Sequence, residues 1–192
     1  MEFDLQAALR ALKPEKKSVL ATPRSKELLS WVKDEPLVGG PILLDTCVYL
    51  DVLQGKTDDK VDALLTYRLC HHSSVCLAEL THVFGRLDPA HPNTRAVLKV
   101  VEETIDDMGG HRLHAPSSNA WGWAGILAGL LVRLTNSARN AGLERKFLND
   151  ALVLLQARAL GAAVLTANVR DFDYLSQIIP DVKVINYDIG RA

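Results

Sequence analysis

The chain has 192 residues, 48% of them hydrophobic and 23% charged, with a formal net charge of −1. That length suits one domain with a sizeable buried core. The balance excludes a basic nucleic-acid arm, an acidic tail and a disordered chain, although local patches and bound cations can still attract a polyanion.

Three cysteines, Cys47, Cys70 and Cys76, sit in apolar contexts and read as reduced, buried thiols rather than a disulfide framework. MEFDLQAALR opens with acids and lacks the apolar core of a secretory signal. The longest apolar run, Ala120–Val132, falls short of the roughly 20 residues needed to cross a bilayer. A cytoplasmic protein with no membrane partner is expected. Gly125 and Gly129 in that run are expected to serve close packing of a soluble helix.

Residues 1–40 differ from the rest. Phe3–Leu12 suits a short amphipathic helix, and Pro14 breaks it. Thr22-Pro23 reads as a helix start, a capping hydroxyl followed by proline at the first position. That second helix is expected to run through Leu28, Leu29, Trp31 and Val32, with Leu28, Leu29 and Trp31 buried on the main domain. With seven basic and six acidic residues, this segment is no basic arm.

Pro41–Asp45, PILLD, is a short apolar run ending in an acid, the pattern of a strand buried on both faces. Helices follow at Thr46–Leu53 and Asp58–Leu69, then a weak strand at His72–Val75 and a helix at Leu77–Leu87 carrying Glu79. Asn93–Met108 is an amphipathic helix, His111–His114 is extended, and Ser117–Leu134 is a helix rich in small residues. After a loop at Asn136–Gly142 comes the apolar helix that begins near Lys146. A glycine turn then leads to strand Ala162–Leu165, an acidic turn at Thr166–Asp171, and an edge strand at Val182–Tyr187. Short apolar strands alternating with helices predict an α/β layer fold with a mostly parallel sheet.

Four acids stand out. Asp45 ends the first strand, Glu79 lies in the helix after the second, Asp150 interrupts an apolar helix, and Asp171 follows the next strand. Taken singly, Asp45 or Asp171 reads equally as a turn or helix cap, and Glu79 as a solvated helix residue. Together at the carboxyl ends of one parallel sheet, where ligands bind in such folds, they would repel one another severely without cations. Hard divalent ions match an all-oxygen donor set, and such ions suit phosphodiester hydrolysis. His71-His72 and His111 with His114 lack the spacing of a zinc site. No Ser-His-Asp signature, phosphate loop or dinucleotide glycine pattern is present.

The order of the acids resembles a PIN domain, as do PILLDTCVYLDVL, CLAELTHVF and above all LNDALVLLQARALGAAVLTANVRDF. Within that superfamily the chain is most similar to the VapC ribonuclease toxins of bacterial type II toxin–antitoxin pairs, over about Ile42–Tyr187. The resemblance implies a PIN-like three-layer α/β/α domain over residues 41–192. Its sheet would be short and mostly parallel, with four or five strands, and residues 1–40 would be an N-terminal helical extension.

It further implies an endoribonuclease dependent on Mg2+ or Mn2+ and neutralised by a cognate antitoxin, with homodimerisation expected. Asp45, Glu79, Asp150 and Asp171 would be the catalytic and metal-holding acids, although many relatives place the fourth acid where this chain has Asn168. Thr46 would orient Asp45 by its hydroxyl, and Thr166 and Asn168 would hydrogen-bond metal-bound water or phosphate. Cys47 stands where the family often has a small hydroxyl.

Arg133, Arg139, Arg145, Lys146, Arg158 and Arg170 are the basic residues nearest the site in sequence. Arg170 is the best single phosphate contact, and Arg145 or Lys146 could instead balance Asp150. Two other functions fit the same residues: a housekeeping PIN nuclease acting in RNA processing or on DNA, and a non-catalytic scaffold binding RNA or protein.

Overall fold

A single sheet organises the computed structural model, which describes residues 3–136 and 141–189. In chain order its strands are β1 (Ser30–Trp31), β2 (Ile42–Leu44), β3 (Cys70–Ser73), β4 (Leu113–His114), β5 (Ala163–Thr166) and β6 (Val184–Asn186). They lie in the order β1-β6-β5-β2-β3-β4, and every adjacent pair is parallel. Each residue of β2 is buried, as expected of a strand covered by helices on both faces. The result is a three-layer α/β/α arrangement with six strands, against the four or five expected. The surplus strand is β1, two residues long and too short to leave a periodic signal in the sequence, whereas β4 falls within the extended segment expected at His111–His114.

The helices among the described residues are α1 (Leu5–Leu12), α2 (Thr46–Leu53), α3 (Asp59–Tyr67), α4 (Ser74–Arg86) and α5 (Thr94–Asp106), then α6 (Ser118–Leu134), α7 (Ala141–Leu160) and α8 (Val169–Ile178). Helix α7 runs through the middle of the core. Every residue from Asp150 to Ala157 is buried, so no face is left for solvent. Truncating Leu152 or Leu154 to alanine would cost roughly 2–5 kcal/mol by the usual cavity penalty. Gly161, at φ 62°, turns the chain from α7 into β5 in the left-handed region that other residues enter only under strain.

Residues 1–40 depart most from expectation. Helix α1 buries Ala8 and Leu12, and the Phe3 ring lies against Gly122 of α6, where any Cβ would collide with it. Gly122 is thus the close-packing glycine; Gly125 and Gly129 face open space. No helix forms over Thr22–Val32. Single 3₁₀ turns at Lys26–Leu28 and Val32–Asp34 flank β1 instead.

Tertiary partners outcompete the local pattern there. The Ala21 amide donates to the Leu134 carbonyl, and the Arg24 amide and guanidinium both donate to Asp173. Trp31 is buried and its indole N–H donates to the Lys26 carbonyl, whereas Leu28 is exposed. Strand β1 pairs with β6, so β6 is interior to the sheet and not the edge that the sequence pattern implied.

The expected loop at Asn136–Gly142 lies mostly outside the described residues, as does Arg139, and α7 already begins at Ala141. No helix among the described residues is long and apolar enough to cross a membrane.

Candidate active site at the carboxyl ends of the strands

Strands β2 and β5 are neighbours in register, with Leu44 opposite Leu165, so the residues that follow them emerge side by side. Asp45 follows β2 and caps α2, accepting from the Thr46 amide at 2.8 Å. Its other oxygen accepts from the Thr166 hydroxyl at 2.7 Å and from the Cys47 thiol at 3.1 Å. Three donors therefore fix a carboxylate that is only 5% exposed.

Glu79 reaches the same place from the second turn of α4. It is half-buried; the Thr46 hydroxyl donates to Oε2 and the Asn149 amide donates to Oε1 at 2.6 Å. Thr46 therefore orients Asp45 through its backbone, and its hydroxyl serves Glu79 instead. Asp150, on buried α7, accepts from the Asn168 amide at 3.1 Å. Asp171 lies in the first turn of α8, where the helix N-terminus favours negative charge, and pairs with Lys146 at 2.5 Å.

The electrostatics match this crowding. Burial is the main cause that raises the Asp45 carboxyl above the usual range; its three donors oppose the shift and the Glu79 charge adds to it. Asp150 is raised further, by burial first and then by the charges of Asp45 and Asp171, with Lys146 opposing. The Cys47 thiol is pushed up to about 12 by burial and by Asp45, so it acts as a thiol donor and not as a nucleophile. Burial alone would depress Lys146, but the hydrogen bond and charge of Asp171, then Asp150 and Asp45, outweigh it and raise the ammonium's pKa.

The fold thus brings together Asp45, Glu79, Asp150 and Asp171 with Thr46, Thr166 and Asn168. Thr166 accepts the Asn168 backbone amide at 2.8 Å while donating to Asp45. Asn168, standing where an acid was plausible, bridges Asp150 and Lys146. Arg170 is not drawn in. Its guanidinium is exposed, lies over the Tyr174 ring at 5.7 Å and donates to the Tyr174 hydroxyl at 3.2 Å. His71 and His114 come to 3.1 Å of each other on β3 and β4 and bond to each other rather than to any of the four acids.

Two residues had no assigned role in the sequence reading. Asn149 was visible only as the neighbour of Asp150, and its bond to Glu79 spans 70 residues of chain. Tyr187 closes the back of the site, donating to buried Asp51 at 2.8 Å beside Cys47.

Among the described residues, no group of three or more acidic, histidine or cysteine side chains is arranged to hold a metal ion. The hydrogen bonds explain this: Glu79 is drawn to Thr46 and Asn149, and Asp171 to Lys146. Mg2+ needs only one or two protein carboxylates and keeps its remaining waters. Asp45 and Asp150 supply that number as two buried carboxylates, each raised chiefly by burial and further by neighbouring acids. The donor set fits such an ion.

No protein-family model and no curated protein sequence matches the chain. Solved structures do share its fold. It is similar to VapBC2 from Rickettsia felis bound to a DNA fragment from its promoter: 19% identity, TM-score 0.51, 77% of this chain and 99% of that one. It is also similar to FitAcB from Neisseria gonorrhoeae: 20% identity, TM-score 0.51, 76% of this chain and 96% of that one. FitAB bound to an IR36 DNA fragment matches at 19% identity and TM-score 0.51, over 76% of this chain and 94% of that one. At these identities the likeness is one of fold, and the fold is that of chains found in VapBC and FitAB complexes.

Proposed function

We propose that this protein is an endoribonuclease dependent on Mg2+ or Mn2+, that it is the toxin of a type II toxin–antitoxin pair, and that it acts in the cytoplasm as a homodimer. The observation that carries this reading is the buried pair Asp45 and Asp150. Both are raised by burial and by neighbouring charge, and neither forms an ion pair among the described residues. Buried carboxylates without cations are costly, and a divalent ion offsets that cost while leaving positions for RNA phosphate oxygens. The fold shared with chains of VapBC2 and FitAB supports the toxin role and a cognate antitoxin partner.

Asp45 and Asp150 would hold the ion, which when bound would supply an activated water and offset charge on the phosphoryl oxygens. The protein's own groups hold the geometry. Thr166, Cys47 and the Thr46 amide fix the two Asp45 oxygens, and Asn168 fixes Asp150. Asn149 and Thr46 hold Glu79 at the half-exposed margin, where it faces arriving substrate. Rigid placement of this kind is what such a site contributes to rate.

Asp150→Asn is expected to lower Mn2+-dependent RNA cleavage at least a hundredfold, about 2.7 kcal/mol of barrier, with an unchanged circular dichroism spectrum. Undiminished cleavage would sink the mechanism. Growth arrest on expression, relieved by an adjacent small gene, tests the toxin role; cleavage without growth arrest would point to a housekeeping nuclease.

A further inference from the structure

Lys146 carries the strongest observation outside the acid side chains themselves. It lies one helical turn before Asp150 on α7, so the two share a face. Its ammonium sits 2.5 Å from Asp171 Oδ2 and 3.5 Å from Asn168 Oδ1, and Asn168 in turn donates to Asp150. Of the four acids, Asp171 is the one with an ion pair among the described residues. The lysine side chain is 49% exposed and the Asp171 side chain 11%, so the ammonium lies between the acids and solvent.

We infer that Lys146 is the site's internal counter-ion: it occupies Asp171 and competes with a divalent cation, leaving Asp45 and Asp150 as the direct ligands. This inference rests on the metal-dependent reading above and assigns Asp171 a role within it. An ammonium and a divalent ion cannot both compensate the same carboxylate fully, so each weakens the binding of the other. Without the metal, Lys146 limits repulsion at the most crowded point of the fold. With it, the lysine keeps Asp171 from the ion. The ion then meets fewer carboxylates than four acids suggest, in keeping with the small number that Mg2+ takes.

Calorimetric titration with Mn2+ alone tests this, on the intact protein without RNA. Lys146→Met is expected to bind Mn2+ about tenfold more tightly, which is about 1.4 kcal/mol, and to have a lower metal-free thermal midpoint that Mn2+ restores. Arg145→Met, which removes the same charge from an exposed neighbour, should change affinity less than about twofold by long-range screening. Lys146→Arg should keep the wild-type affinity. Lys146→Gln removes the charge while keeping a polar end and serves if the methionine variant fails to fold.

Equal or weaker Mn2+ affinity in the Lys146 variants would overturn the inference and leave the metal reading intact. Equal tightening by Arg145→Met would overturn it too, because the effect would be general charge and not occupancy of Asp171. Absence of Mn2+ uptake by every variant would overturn the metal reading, and this inference with it.

Discussion

The two ends of the parallel sheet handle buried negative charge in opposite ways. At the amino ends, Glu35 is 6% exposed and receives two cations, Arg68 at 3.1 Å and Lys183 at 2.5 Å. Arg68 is itself buried and also donates to the Pro36 and Leu37 carbonyls. Nearby, Arg158 pairs with Asp181 at 2.6 Å. At the carboxyl ends four acids meet one half-exposed lysine. A charge that only supports the fold brings its partner with it. At the other end a surplus of one sign is held in place by neutral hydrogen bonds from Thr46, Cys47, Asn149, Thr166 and Asn168.

The comparison breaks most readily at the paired end. Arg68→Met should cost about 3 kcal/mol, because it leaves Glu35 buried with only Lys183 to answer it; urea unfolding midpoints measure this. A loss under about 1 kcal/mol would mean that the pair is not structural.

At the unpaired end the sign reverses. Asp150→Asn should stabilise the metal-free protein by about 1 kcal/mol, since an uncompensated buried charge goes and the new amide can still accept from Asn168. A lower thermal midpoint would contradict the surplus.

The pH dependence follows from the raised carboxyls. Between the ordinary range near 4 and their raised folded values, the folded state binds more protons than the unfolded chain. The contribution of Asp45 and Asp150 to stability is therefore present below the unfolded pKa and is lost as pH rises through the folded one. The metal-free thermal midpoint should rise as pH falls from about 7 toward about 5. Asp150→Asn should flatten that slope, and saturating Mn2+ should abolish it. A slope unchanged in the variant would assign it to other groups.

The smallest effect belongs to the neutral supports. Thr166→Val removes one of three donors to Asp45 and should reduce cleavage about fivefold, in line with about 1 kcal/mol for one hydrogen bond.

The strand β2, helix α7 and the turn into β5 were legible because each combines an apolar run with a sharp ending, at Asp45 and at Gly161. The acids could be placed at strand ends for the same reason. Their partners could not, because Asn149 reaches Glu79 and Lys146 reaches Asp171 across tertiary distances that no periodicity encodes. The segment Thr22–Val32 misled for a related reason. Its capping residues suited a helix, but Asp173 claimed the backbone and side-chain donors of Arg24. A two-residue strand such as β1 exists only because β6 is there to receive it.

That last pairing bears on how the chain comes into being. Ser30 and Asn186, joined by a hydrogen bond of 3.0 Å, are 156 residues apart. Contacts so distant along the chain form late, because the intervening loop must close first. Strand β1 lies far ahead of β6 in the chain and has no partner strand until β6 emerges. Strands β2, β3 and β5, together with the four acids, are complete before then. The sheet is finished last at the edge where β1 pairs with β6.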